Sequence, residues 1–326
     1  MGHSAGVRIR ISGASHSRLR CNLTFAFIRL RLTTSGIKDL EHVLVKFRQD
    51  DDFVLTSKKM RVSRILRRAL DFQIPPQTLR AALAASPNSA GSFWKHSMYK
   101  SSTGKSVTMH YCRRRVDAEN VAQHFMNDPV VGFDMEWEKG SRLDASNVKR
   151  SVSLVQLANE NRIGLFHIAL FDENTAETLM PPTLRQILES SNIVKAGVNI
   201  GGDFTRLRKC LDIDGRGIFE LSHLYTVVKH SDNQRHLINR KSIQLATQVQ
   251  DILHLPLKKD AIRISAWSKR LDMEQCDYAA TDAYAGFRLY HALEDARKKM
   301  DPMPPRPALY ELGQPLILGD GTEATK

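Results

Sequence analysis

The sequence predicts an α/β protein with a mixed central sheet flanked by helices. Residues 130–169 hold three short apolar stretches separated by polar turns, a pattern typical of an antiparallel three-strand meander. Residues 181–221 then alternate between helical and strand-like patterns, which favours parallel strands joined by helices. We therefore expect one domain whose sheet combines antiparallel and parallel pairing.

The segments on either side of this region differ from it in composition. The chain has 326 residues and a formal net charge of +13. The excess lies in residues 1–106, with 19 Lys and Arg against 6 Asp and Glu, whereas the remainder carries 29 of each. We predict three parts: a basic, weakly ordered N-terminal extension with a linker at 81–92, a central domain, and a Pro-rich disordered tail, over residues 1–104, 105–297 and 298–326.

The N-terminus carries a possible targeting signal. Residues 1–38 contain no acidic residue and are rich in Arg and Ser, which is typical of a mitochondrial presequence. A disordered basic leader or a nucleic-acid-binding arm would have the same composition. The four cysteines form no C-x-x-C pair, which argues against a zinc site or disulfide framework, and no apolar run could span a bilayer. We predict an intracellular protein of the nucleus or the mitochondrion.

Gly104-Lys105-Ser106 resembles the end of a phosphate-binding P-loop but does not complete the motif. The motif needs a glycine five residues before Gly104, where Tyr99 stands, and no apolar strand precedes it. We therefore predict no nucleoside triphosphate site, and neither helicase nor kinase activity.

The remaining elements follow in order. A strand at 107–112 precedes a helix that Asp117 caps and that continues to Met126. The meander strands are expected at 130–137, 151–158 and 163–169. After them we expect a helix from Pro182, a strand at 193–199, a helix from Gly201, a strand at 218–221, and helices at 243–253 and 273–293.

Two carboxylates interrupt the first meander strand. Because strand side chains alternate, Asp134 and Glu136 share one face, whereas Phe133, Met135 and Trp137 point to the other. Burying two unpaired carboxylates is costly, so a hard divalent cation could lie between them. A strand that simply ends in solvent explains them equally well, and this stretch alone leaves both interpretations open.

Three later residues are ambiguous when each is taken alone. Asp203 follows two glycines at the start of a helix, where an N-cap is the commoner role. Tyr278 and Asp282 are four residues apart in a helical segment and share a face. That spacing is usually only a surface or capping feature.

Taken in order, three segments resemble the motifs of the DEDD superfamily of 3′–5′ exonucleases. The segments are Phe133-Asp134-Met135-Glu136-Trp137, residues 195–203 and residues 278–284. A tyrosine four residues before the last aspartate indicates the tyrosine subtype (DEDDy), and the motifs are most similar to those of Werner-type exonuclease domains. The resemblance covers roughly residues 105–297 and implies a ribonuclease-H-like fold.

The resemblance also implies the chemistry: hydrolysis of phosphodiester bonds from a free 3′ end, with release of 5′-nucleoside monophosphates by two-metal-ion catalysis. Four carboxylates without His or Cys suit Mg²⁺ or Mn²⁺. The resemblance implies that Asp134 bridges both ions, that Glu136 and Asp282 hold the ion carrying the nucleophile, and that Asp203 supports the second ion through water. Tyr278 would orient the attacking water.

Substrate and strand contacts remain open from the sequence. DNA and RNA both fit, because the metal site does not read the 2′-hydroxyl. A ribonuclease-D-like RNA-trimming enzyme and an inactive nucleic-acid-binding protein on the same fold are the alternatives. Arg206 and Arg208 could contact phosphates or lie on a solvated helix face, and Trp267 could stack on a base or belong to the core. Gly201 and Thr205 stand where Werner-type domains often carry an acidic and an aromatic residue.

Overall fold

The structure, a computed structural model, describes residues 24–28, 43–47, 70–143, 147–231, 233–258 and 261–324. The chain divides into two compact units, residues 1–66 and 67–326. In the first unit, β1 (Thr24–Ile28) and β2 (Val43–Phe47) pair antiparallel. Most of the predicted presequence lies outside the described residues.

The second unit is built on a six-stranded mixed sheet in the order β3-β6-β5-β4-β7-β8. These strands are β3 (Thr108–Cys112), β4 (Val130–Glu136), β5 (Leu154–Ala158), β6 (Arg162–Phe166), β7 (Val194–Gly197) and β8 (Ile218–Glu220). The strands β4, β5 and β6 form an antiparallel meander, as predicted. The pairs β3–β6, β4–β7 and β7–β8 are parallel, so the sheet combines both kinds of pairing.

The helices of this unit are α1 (Pro76–Ala84), α2 (Arg115–Ala122), α3 (Val148–Ser151), α4 (Ala176–Leu179), α5 (Pro182–Glu189), α6 (Ile200–Leu211), α7 (Leu221–His230), α8 (Leu245–Leu253) and α9 (Met273–Lys298). A capping box fixes the start of α9, because Asp272 and Gln275 accept each other's backbone N–H. Asp117 differs from the prediction: it lies in the first turn of α2 and pairs with Arg114 at 2.7 Å instead of capping. Among the described residues, no helix combines the length and the apolar character that a membrane span requires.

Strand alternation divides the core into two layers. Leu154 and Ala158 of β5 pack with residues of α9 such as Ala283, and we call this the α9 layer. Val155 and Leu157 of the same strand pack on the opposite face with residues of α6, the α6 layer. The residues of β4 follow the same rule, so alternate positions of this strand face α9.

Helix α9 and strand β4 approach each other closely. A Cβ atom on Gly132 would lie 2.0 Å from the carbonyl oxygen of Ala283 and 2.5 Å from the amide nitrogen of Phe287. Only a residue without a side chain fits at this contact. The close approach brings the first turns of α9 over the carboxyl end of β4.

Residues 70–104 differ from the predicted weakly ordered extension. Phe72, Trp94 and Tyr99 are buried, and the Trp94 and Tyr99 rings lie 6.2 and 5.2 Å from the ring of Tyr284 in α9. The predicted linker at 81–92 overlaps α1. The sequence did not show this packing because the aromatic anchors are isolated in a polar segment and have no periodic pattern.

The Pro-rich tail also differs from the prediction of disorder. Leu316 and Leu318 are buried and pack with Val227 and Ile238. The Glu311 carboxylate accepts hydrogen bonds from the amides of residues 217 and 218, at 2.6 and 3.1 Å, at the start of the edge strand β8. The unit therefore extends beyond both predicted limits of the central domain.

Tyr310 explains why position 201 is a glycine, where the sequence comparison led us to expect an acidic residue. Its ring lies against the first turn of α6, so that a Cβ atom on Gly201 would come within 2.2 Å of the ring carbon Cζ. Any side chain at position 201 would displace this ring. Glycine at this position is therefore coupled to the packing of the tail.

Candidate active site

Three carboxylates meet at the carboxyl end of β4. Asp134 and Glu136 leave β4 on the α9 side, and Asp282 descends from α9 onto them. One carboxylate oxygen from each residue lies within 4.8 Å of the other two. Asp134 and Glu136, predicted to share one face of a strand, and Asp282, predicted to lie on a helix, thus form a single cluster.

Asp203 and Tyr278 line the same pocket as these three carboxylates. Asp203 is buried near the start of α6, where the positive end of the helix dipole stabilises a negative charge. It is not part of the group of oxygens within 4.8 Å. The structure therefore brings together all five predicted site residues, with Asp203 at the edge of the cluster.

Burial and mutual repulsion raise the pKa values of the clustered carboxyl groups. For Asp134, burial raises the pKa most, followed by the charge of Asp282. For Glu136, burial acts together with the charges of Asp134, Asp282 and Asp203. Burial raises the pKa of Asp282 to about 7. Such a cluster carries its full negative charge at neutral pH only when a cation compensates it.

Tyr278 lies one helical turn before Asp282 on α9, and both side chains line the same pocket. Burial, followed by the charges of Asp282 and Glu136, raises the pKa of this phenol above its ordinary value. Tyr278 therefore stays protonated at neutral pH. In this state it can donate a hydrogen bond and orient a water, but it is a poor general base.

The donor set fits a hard divalent cation. Carboxylate oxygens without nitrogen or sulfur ligands are the preference of Mg²⁺ and Mn²⁺. A second observation agrees with a hydrated ion. Gln156 of β5 lies directly opposite Asp134 in the sheet register, and in the described part of the chain neither its amide oxygen nor its amide nitrogen has a hydrogen-bond partner.

The structure corrects the prediction for Arg206. This residue is buried, and its guanidinium group lies 4.3 Å from the centre of the Trp137 ring. It also donates to the Ser151 carbonyl and the Ser141 hydroxyl, both at 3.3 Å. Arg206 therefore supports Trp137 at the wall of the pocket instead of facing solvent as a free phosphate ligand. Arg208 is exposed on α6, and its contact with phosphate stays a prediction.

Trp267 belongs to the core. Its side chain is fully buried in the α9 layer, and its ring centre lies 6.0 Å from that of Tyr278. A base cannot stack on a ring without exposed surface, so the stacking hypothesis for Trp267 is not supported by its position.

One residue near the cluster was not predicted. Glu220 ends β8 and is buried; its carboxylate accepts from the amides of Ile200 and Ser222, at 3.2 and 3.1 Å. It thereby joins the starts of α6 and α7. Burial and the charge of Asp134 raise the pKa of Asp203 most, and the charge of Glu220 raises it further. The sequence indicates this role only weakly, because it shows no more than a glutamate between a short strand and a helix.

Comparison with known proteins decides the family. The family model described as 3′-5′ exonuclease matches residues 109–297. The chain belongs to the 3′–5′ exonuclease family. This membership confirms the predicted resemblance to 3′–5′ exonucleases and, with the observed mixed sheet, the ribonuclease-H-like fold. The segment around Trp94 lies outside the match, although it packs on α9.

Two curated relatives illustrate the similarity of this exonuclease-family chain. It is 33% identical over 179 residues to the mouse bifunctional 3′-5′ exonuclease/ATP-dependent helicase WRN, which covers 54% of this chain and 12% of that protein. It is 29% identical over 167 residues to a 3′-5′ exonuclease of Arabidopsis thaliana, and this match covers 51% of this chain and 52% of that protein. The chain thus spans about half of one relative and a much smaller share of the other.

Solved structures are similar at lower identity. The Nibbler EXO domain of Aedes aegypti is 21% identical, covers 58% of this chain and 88% of its own, and has a TM-score of 0.47. Ribonuclease D of Escherichia coli is 15% identical, the match covers 60% of this chain and 47% of the ribonuclease D chain, and the TM-score is 0.48.

Proposed function

We propose that this chain is an active 3′–5′ exonuclease of the tyrosine subtype, which hydrolyses phosphodiester bonds from a free 3′ end and releases 5′-nucleoside monophosphates. The observation that carries the proposal is the convergence of Asp134, Glu136 and Asp282 within 4.8 Å, with Tyr278 lining the same pocket. Three half-buried acids at this separation repel one another and destabilise the fold unless a cation neutralises them, and such clusters are typical of active sites.

We further propose that the carboxylates hold two Mg²⁺ or Mn²⁺ ions. Asp134 would hold both ions, Glu136 and Asp282 would share the ion near Tyr278, and Asp203 would support the second ion through water. Two bound divalent ions supply an acidified water nucleophile and stabilise the attacking and leaving oxygens of an in-line displacement. The chain's own contribution is to hold four carboxylates at fixed positions and to orient that water through Tyr278.

The proposed partner is nucleic acid, DNA or RNA, with a free 3′ end. A ribonuclease-D-like RNA substrate remains the alternative within the same chemistry, and an inactive binding protein is the alternative outside it. The presence of all five side chains in one pocket favours the active enzyme. Location in the nucleus or the mitochondrion, and the lack of a nucleoside triphosphate site, stay predictions.

The decisive experiment compares matched 5′-labelled DNA and RNA strands with Mg²⁺ or Mn²⁺. We expect a ladder of 3′-shortened products from the full chain. Asp134→Asn should reduce the rate on the order of a hundredfold or more, because it removes the central metal ligand without changing side-chain shape. The matched control is Asp117→Asn, which removes an exposed carboxylate on α2 that does not line the pocket and should keep the wild-type rate.

The outcomes separate the alternatives. A ladder from only one of the two strands assigns the substrate. No ladder from either strand with either metal, at micromolar protein, contradicts the proposed activity. Strand binding without any shortening would instead support the inactive binding protein.

A further inference from the structure

Gln156 is an isolated polar side chain in the centre of the sheet. It lies in the middle of β5, whose other residues are Leu154, Val155, Leu157 and Ala158, and all five are buried. An apolar side chain of similar length, such as Met, would suit these surroundings. The amide therefore has no evident role in the packing of the core.

The amide of Gln156 is also unpaired in the described part of the chain. The residue is fully buried, and both its oxygen and its nitrogen lack a hydrogen-bond partner there. Most buried polar groups in native proteins are paired, and each unpaired one costs about 1–3 kcal/mol. A cost of this size at a single residue calls for a ligand that the protein alone does not supply.

The position of Gln156 indicates what that ligand is. Gln156 and Asp134 are direct cross-strand partners in the antiparallel pair of β4 and β5, so their side chains share the face that packs against α9. Side chains of such partners are neighbours, with Cβ atoms about 4.5–5.5 Å apart. Among the described residues no hydrogen bond joins the Asp134 side chain to Gln156 directly, because both side-chain polar atoms of Gln156 lack a partner there.

We propose that Gln156 is a positioning residue for the metal site, whose amide binds a buried water that joins it to the Asp134 carboxylate and the cation held there. This inference rests on the proposed function, because it requires the carboxylate cluster to bind a cation. A water accepts from the amide nitrogen and donates to the amide oxygen, so one molecule satisfies both unpaired atoms. Groups that orient metal ligands in this way typically contribute tenfold to hundredfold in metal affinity.

The test measures Mn²⁺ binding to the full chain without nucleic acid, by the loss of the free-ion electron paramagnetic resonance signal, together with thermal unfolding of the metal-free protein. Gln156→Met should weaken Mn²⁺ binding about tenfold, because the bridging water loses its amide partner. The same variant should unfold at the wild-type temperature or above it when metal-free, because it removes a buried unpaired amide. If the Mn²⁺ affinity falls while the unfolding temperature does not, the loss of affinity is not caused by lower stability.

Gln248 provides the matched control. It is likewise fully buried, on α8, and its amide oxygen also lacks a partner in the described part of the chain, but its amide nitrogen donates to the Ser222 hydroxyl and the Ile243 carbonyl, at 3.3 and 2.9 Å, and the residue does not line the pocket of the carboxylates. Gln248→Met should therefore lower the unfolding temperature and leave Mn²⁺ affinity unchanged. A second variant, Gln156→Asn, keeps the amide but shortens its reach, and should also weaken Mn²⁺ binding.

The outcomes distinguish this inference from the proposed function. If the wild type binds Mn²⁺ and Gln156→Met binds it equally well, the role of Gln156 is wrong while the metal site stands. The inference also fails if Gln156→Met lowers the metal-free unfolding temperature as much as Gln248→Met, because the amide would then be paired within the fold. If the wild type itself binds no Mn²⁺, the metal-dependent function fails first.

Discussion

Tyr278 is the one residue of the cluster that is placed to affect catalysis without holding a metal. It lines the pocket of the carboxylates one turn before Asp282, and its raised pKa keeps the proton on the phenol. We expect Tyr278→Phe to slow cleavage about a hundredfold, because the attacking water loses its orienting hydrogen bond. Mn²⁺ affinity should stay within about twofold of wild type, because all four carboxylates remain.

Single-turnover cleavage of a labelled strand, combined with Mn²⁺ binding, measures the two effects separately. The Asp134→Asn variant is the counterpart, since it should lose affinity and rate together. A Tyr278→Phe protein that loses Mn²⁺ affinity as much as Asp134→Asn would show that the phenol organises the metal ligands and not the water.

At the level of single residues, the sequence predicted the face on which a side chain lies better than the residues that it contacts. The period of the strand placed Asp134 and Glu136 on one face, and the helical spacing placed Tyr278 and Asp282 together. The guanidinium group of Arg206 lies against the Trp137 ring, 4.3 Å from its centre, and not toward solvent. That contact joins residues 69 positions apart in the chain, and no local pattern encodes it.

At the level of elements, a hydrogen-bonded strap joins the sheet to the segment that leads into α9. The Tyr111 hydroxyl of β3 accepts from the Leu271 amide at 3.0 Å and lies 2.7 Å from the His167 Nδ1 atom. The His167 Nε2 atom lies 2.9 Å from the Trp267 carbonyl oxygen, which can only accept. Nε2 is therefore the donor, and the neutral ring accepts at Nδ1 from Tyr111.

This strap predicts a loss of stability in acid. Burial lowers the pKa of His167 to about 4, from an ordinary value of 6.5. Between these two values the unfolded chain binds a proton that the folded protein excludes, so the free energy of unfolding falls as pH falls from about 6.5 to about 4. For a shift of this size the loss attributable to His167 is about 3 kcal/mol.

His167→Gln isolates this contribution, because glutamine keeps a donor and an acceptor but does not titrate in this range. Denaturant unfolding across this pH range should show the wild type losing its stability advantage over the variant as pH falls. Titration of His223, whose pKa burial also lowers to about 4, cancels in the difference. A difference that stays constant with pH would contradict the neutral, buried assignment of His167.

At the level of the whole molecule, the sequence predicted the sheet and missed the limits of the unit. The meander and the crossover helices follow from periods of two and 3.6 residues, and both appear at the predicted places. Trp94, Tyr99, Leu316 and Leu318 are buried apolar residues set singly among polar and proline residues. Their partners lie far away in the chain, so composition suggested disorder where tertiary packing provides order.

The tail gives the clearest whole-molecule prediction. Removing residues 300–326 exposes Val227 and Ile238, which Leu316 and Leu318 cover, and frees the start of β8 from Glu311. Burial of the two leucines alone is worth about 3–6 kcal/mol. We therefore expect the truncated protein to unfold roughly 10 °C below the full chain, as measured by thermal unfolding.

The tail should also influence the active site, because Tyr310 packs on the first turn of α6, two residues from Asp203. Asp320→Asn is the matched control: it removes the charge of the exposed Arg235–Asp320 ion pair, and such pairs contribute about 0–1 kcal/mol, while the amide oxygen of asparagine can still accept from the Thr322 amide and hydroxyl. This control should unfold within about 3 °C of wild type. If the truncated protein unfolds as late as Asp320→Asn, the tail contributes no stability, and its packing against α6 and α7 does not hold the domain together.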